Sequence, residues 1–192
     1  MTYIDTTGFP REPLVPGRAH HAINRFFGLL GQVGGAANVE SSATPASPQI
    51  TEFEENLRLL QETISEVSMH LPTGFARGLN RQFANLLDDE AWEDEDEFIS
   101  LHSLTAFIMV LVSASPARRP GIGTNGKGSI TASWTRGVNR LTVECLPSGR
   151  LNVMMSRQVD GDEPERAAFT SIRPSRLPEI VQPFGPEIWF DG

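Results

Sequence analysis

Residues 98–113, FISLHSLTAFIMVLVS, decide the fold. These sixteen residues carry no charge, and only His102 and a few hydroxyls interrupt their apolar character. A segment apolar on every side has no stable place on a wet surface, so the run predicts a helix buried on most of its faces. It is too short, and too punctuated by Ser, His and Thr, for a membrane span, which needs about 20 apolar residues. Within such a helix His102 is expected to be a core histidine bonded to a backbone carbonyl.

Upstream, the pattern supplies helices to pack against it. Thr51 and Glu54 have the spacing of a capping box. Phe53, Leu57, Leu60, Ile64, Val67 and Leu71 then form one apolar stripe, with Glu54 and Arg58 as an outward i,i+4 pair and Pro72 as the stop. A second helix is predicted over 75–87, with Phe75, Leu79, Phe83, Leu86 and Leu87 inward and Arg77 and Arg81 outward.

Downstream of Ser115 the period changes from helical to alternating. Ile130, Ala132 and Trp134 share one face of a strand, as do Leu141, Val143 and Cys145, and again Leu151, Val153 and Met155. TRGVN (135–139) and Pro147-Ser148-Gly149 are the tight connections between them. The pattern predicts an antiparallel meander with one apolar face in need of a cover. A fourth strand is expected near 169–172, after the acidic loop DGDEPE. Ser175 is placed to cap a short helix running to Val181, and the tail carrying Phe184, Ile188, Trp189 and Phe190 is too apolar to stay in water.

The implied fold class is α+β, with three to four helices and then a small antiparallel meander. Four regions are expected: an N-terminal arm over 1–33 with a short amphipathic helix, a flexible linker over 34–50, a helical region over 51–115, and a β region over 116–192 with an apolar tail. The arm carries Phe26, Phe27 and Leu30 at helical spacing, weakened by Gly28 and Gly31. The linker is small, polar and rich in proline.

Charge is segregated. Residues 88–97, DDEAWEDEDE, hold eight carboxylates and no base, which equals the net charge of −8 of the whole chain. Helix-dipole chemistry explains the acids just ahead of the apolar helix but not Asp88, Asp89 and Glu90, which close the preceding one. Between Arg118 and Arg176 there are ten bases against five acids. The single cysteine, Cys145, excludes an intrachain disulfide and points to a reducing, cytoplasmic setting. No charged and apolar leader opens the chain, so secretion is not expected. Lys127 is the only lysine among sixteen bases, which reads as the codon bias of a GC-rich bacterium.

Catalytic patterns are few. His20, His21, His70 and His102 have no metal-ligand spacing, and there is no GxSxG or HExxH. The exception is GTNGKGS at 123–129. It is similar to the phosphate-binding loop of the folylpolyglutamate synthase and Mur ligase family, and that resemblance would give Gly126, Lys127 and Ser129 a nucleotide to hold. Residue-level reading gives the alternative of a hairpin-leading loop in which Asn125 and Gly126 supply positive φ. The run 128–157 also resembles a β module of small bacterial accessory or antitoxin-like proteins, which implies an accessory role and supplies no catalytic residue.

These readings converge on a non-enzymatic interaction protein, antitoxin-like, immunity-like or an accessory subunit of a bacterial complex, with no cofactor, no metal and no membrane. The expected partner is a protein with a basic surface. Asp88, Asp89, Glu90, Trp92, Glu93 and Asp94 are the first docking residues, and Phe26, Phe27 and Leu30 of the arm the second. The alternatives are a nucleotide-binding protein using GTNGKGS, or a DNA-binding regulator using the arginine-rich C-terminal part, with nucleic acid ranked behind protein.

Overall fold

The structure is a computed structural model, and the described residues are 48–87, 96–159 and 163–191, with side chains from Glu54 onward. The chain divides into two units, residues 1–41 and 42–192, and the second contains all the described residues. The expected arm and most of the expected linker therefore lie outside the described residues.

The fold is α+β. Five α-helices are described: α1 (Pro48–Glu66), α2 (Phe75–Leu86), α3 (Leu101–Ala114), α4 (Leu177–Val181) and α5 (Glu187–Phe190). Between α3 and α4 the chain forms five strands, β1 (Gly121–Thr124), β2 (Ile130–Arg136), β3 (Asn139–Cys145), β4 (Leu151–Arg157) and β5 (Glu165–Ile172). They make one antiparallel meander in the order β1-β2-β3-β4-β5.

The stripe on α1 behaves as the spacing predicts, with Leu60, Ile64, Val67 and Leu71 buried. Its ends differ. The helix begins at Pro48, so Thr51 lies inside it and cannot be its cap, and three residues of the expected linker are helical. It ends at Glu66, and Ser68–His70 continue as a 3-10 turn that still delivers Leu71 to the core. Arg58 pairs with Glu62 at 2.6 Å and Glu55 at 3.9 Å, toward the C-terminal side of where Glu54 would have placed it.

Helix α2 buries Phe75, Leu79 and Phe83 and leaves Arg77 and Arg81 exposed, as its pattern requires. Gly78 sits in its middle, at a cost of about 1 kcal/mol against Ala. A Cβ there would meet the guanidinium of Arg119, which lies over the helix at this point and would have to turn aside. Gln82 fixes the same contact by donating to the Pro120 carbonyl at 2.9 Å.

Helix α3 is the centre of the core. Leu104, Phe107, Ile108, Val110 and Leu111 are all at 2% exposure or less, and Phe83 meets Phe107 edge to face with ring centres 5.9 Å apart. One stripe faces outward, however, and His102 is on it, exposed. It is not a core histidine: His102 and Ser113 are exposed, and Thr105, Met109 and Val112 continue the same stripe at helical spacing, half-buried. Ser103 turns inward one residue later, donating its hydroxyl to the Cys145 carbonyl and accepting from the Ile130 amide at 3.1 Å. This hydroxyl ties α3 to the paired residues Ile130 and Cys145 of β2 and β3.

The cover that the meander needs comes from α3 and α5, both of which pack on β2 and β3. Ser175 does not act as a helix cap. It lies inside the 3-10 turn Pro174–Arg176, which leads directly into α4. Trp189 and Phe190 of the tail are buried, and Phe190 stands edge to face against Trp134 at 5.2 Å.

Candidate functional site

Three places stand out, two from the sequence and one from the fold: the glycine-rich loop, the acidic run, and the outer face of the sheet. The loop is a hairpin connection. Thr124 of β1 pairs with Ile130 of β2, and Asn125 to Ser129 span the turn. Gly126 and Gly128 have φ of 67° and 70°, which side-chain-bearing residues rarely adopt, whereas Asn125 does not. Asn125 works through its side chain, with Oδ1 accepting from the Lys127 amide at 2.9 Å and Nδ2 donating to Glu144 at 3.1 Å.

A phosphate loop needs free backbone amides and a helix behind the glycines. Here the amide of Gly126 donates to Thr124 Oγ1 at 3.3 Å and that of Lys127 to Asn125, and the loop opens into strand β2. Lys127 is exposed while Ser129 is buried. The Asp96 carboxylate lies where a Cβ on Gly126 would go, bringing negative charge against the glycine loop.

The same loop grips the segment that leads into α3. Glu97 donates its amide to the Gly126 carbonyl at 2.8 Å, and Ser100 to the Gly128 carbonyl at 2.9 Å. Glu97 and Lys127 form an isolated parallel bridge. The glycines are thus required by their positive φ, and at Gly128 the Phe98 carbonyl, 3.2 Å from where a Cβ would sit, adds to that requirement.

Asp88, Asp89, Glu90, Trp92, Glu93 and Asp94 lie outside the described residues, as do Phe26, Phe27 and Leu30. The flanks of the acidic run are described. Leu87, which follows α2 directly, is buried and its amide bonds to the Phe83 carbonyl at 2.9 Å. On the other side Glu97 is held by Gly126.

Comparison with family models, with curated proteins and with solved structures finds no match to this chain. Function therefore rests on the chain's own geometry. Among the described residues no three His, Cys, Asp or Glu side chains are grouped to hold a metal ion. No described helix is long and apolar enough to cross a membrane. Burial, and then the neighbouring Glu144, push the Cys145 thiol well above its ordinary range, so it stays protonated and packs as a small apolar group.

The outer face of the sheet is the place that sequence reasoning passes over. Its middle row, read across the strands by register, is Ser133, Thr142, Met154 and Ala168. Met154 is 57% exposed at the centre of that row. Toward the loop side the next row is Thr131, Glu144 and Asn152. Toward the opposite end it is Thr135, Arg140, Ser156 and Arg166. Glu144 is held by two amides, Asn125 Nδ2 at 3.1 Å and Asn152 Nδ2 at 2.9 Å. The signal available in the sequence is the spacing of Arg140 and Glu144, four residues apart on an alternating strand and so on one face.

Proposed function

We propose that the chain is a non-enzymatic interaction protein, an antitoxin-like, immunity-like or accessory subunit of a bacterial complex in the cytoplasm. Its acidic run docks on a basic surface of a protein partner, with Trp92 as the apolar anchor among the carboxylates. The observation that supports this reading is the seating of the run's two flanks. Leu87 is locked into the core and Glu97 is bonded to the β1–β2 hairpin, so the residues on either side of this charged stretch are anchored in the domain. The arm residues Phe26, Phe27 and Leu30 supply a second, apolar contact in this reading.

The test replaces Asp88, Asp89, Glu90, Glu93 and Asp94 by their amides. The expected result is an unchanged melting temperature and partner capture weakened roughly tenfold or more, with the remaining binding less sensitive to salt. Equal capture by both proteins at low salt removes the acidic run from the interface. Calorimetric titration with ATP addresses the nucleotide alternative: micromolar binding that disappears in Lys127→Ala would replace the interaction reading with a nucleotide-binding one.

A further inference from the structure

The outer face of the sheet carries a charge pattern that is complementary to itself. The row containing Glu144 and the row containing Arg140 and Arg166 lie on opposite sides of a middle row that is neutral and has Met154 at its centre. Among the described residues no base pairs with Glu144 and no carboxylate pairs with Arg140 or Arg166. The Glu144 carboxylate is nevertheless fixed, because the amides of Asn125 and Asn152 hold its two oxygens. Neutral donors orient it without cancelling its charge.

We propose that this face docks on the same face of a second copy of the chain, across a twofold axis lying along the middle row. Rotation about that axis reverses the strand direction and leaves each strand above its own counterpart. Glu144 then meets Arg140 of the second copy, Arg140 meets its Glu144, and the two Met154 side chains meet at the centre. The interface is isologous, so each charge contact occurs twice. The flanking residues are Ser, Thr and Ala, short enough for two sheets to approach to the usual spacing of about 10 Å.

Charge decides in favour of a second copy over a uniformly basic or acidic partner. Either of those would attract one row and repel the other, whereas the same face reversed pairs Glu144 with Arg140 in both directions and leaves Arg166 over the uncharged end of β5. Area sets the strength. Four strands about 4.8 Å apart and three rows about 6.8 Å apart give roughly 400 Å² per face. That is a small interface, so the dimer is weak and concentration-dependent. No residue of the acidic run belongs to the three rows of this face, so the two readings are tested by different substitutions.

Sedimentation velocity of the full chain tests the proposal, over a series from about 10 μM to about 1 mM at low salt. The expected result is a monomer–dimer equilibrium that shifts toward monomer as salt is raised. Arg140→Glu alone places Glu144 against a second acid, and Glu144→Arg alone places Arg140 against a second base, so each variant is expected to be monomeric. Mixing the two single variants restores both pairs at once, and the mixture is expected to regain the dimer. That recovery also shows that both variants are folded. Met154→Asp is expected to be monomeric with an unchanged circular dichroism spectrum. A wild-type chain that stays monomeric throughout the series overturns the proposal. So does a dimer that survives all three substitutions, or a mixture of folded single variants that stays monomeric. Neutralising the acidic run leaves this equilibrium in place.

Discussion

Met154 and Met155 are the same residue at adjacent positions of one strand, yet one is 57% exposed and the other 4%. Alternation along a strand puts them on opposite faces of the sheet, and the two faces are built on different principles. Around Met155 the inward residues of β2, β3 and β4 join α3 and α5 in a continuous core. Around Met154 the outward residues are hydroxyls, small side chains and charged groups, of which Glu144 is held in place. Stability is concentrated on the first face, which leaves the second free to vary with whatever it meets. Single substitutions separate the two.

The largest expected effect is Trp134→Ala, on the inner face. The ring is 1% exposed, stacks edge to face on Phe190, and donates its Nε1–H to the Arg118 carbonyl at 2.9 Å. Its loss removes apolar burial, leaves a cavity and strands a carbonyl, for about 3–5 kcal/mol in urea unfolding. That is a large share of the roughly 5–15 kcal/mol expected of a domain. An unchanged unfolding midpoint would mean that the tail does not seal the sheet and that the inner face is not the core.

Next comes Met155→Ala, for which large-to-small substitution in a core predicts a loss of about 2–5 kcal/mol. Ser103→Ala ranks third, at about 1–3 kcal/mol, because the Ile130 amide is left buried without the hydroxyl it donates to. Both are read in the same urea titration. A neutral Ser103→Ala would show that α3 is held to β2 and β3 by apolar packing alone.

The inner face is legible in the sequence, and the reason is periodicity. Ile130, Ala132 and Trp134, with their counterparts on β3 and β4, alternate without interruption, so three strands and their facing can be read directly. Strand β1 cannot. In GIGT only Ile122 is apolar and two glycines break the alternation, so the strand exists because β2 offers a ladder to pair with. Strand β5 is visible only at its end, since an edge strand has fewer buried positions and Glu165, Arg166 and Ala168 are exposed. His102 is misplaced by sequence because an almost wholly apolar helix gives little sign of which stripe faces out. The loop GTNGKGS resembles a phosphate cradle because glycines that admit an anion and glycines that admit a neighbouring backbone are alike in sequence. The outer face escapes for a related reason. Outward residues on a strand read only as solvated, and their arrangement in rows emerges once the register is known.

The smallest expected effect is the one that tests the comparison most directly. Met154→Ala removes the same atoms as Met155→Ala one residue away, but most of that side chain already lies in water, between Thr142 and Ala168 on the neighbouring strands. Little apolar area is returned to solvent and no cavity forms, so the cost is expected within about 0.5 kcal/mol in urea unfolding. The measurement belongs at low micromolar concentration, where a weak dimer is dissociated and cannot add stability by mass action. Repeating it near 1 mM should open a gap between wild type and Met154→Ala, because only the wild type then gains from association. No such concentration dependence is expected for the difference between wild type and Met155→Ala, whose loss is internal to one chain. A cost for Met154→Ala of about 2 kcal/mol at low concentration, in the range of a core substitution, would mean that the outer face is covered within the chain itself. The division of the sheet into a structural face and a free one would then fail.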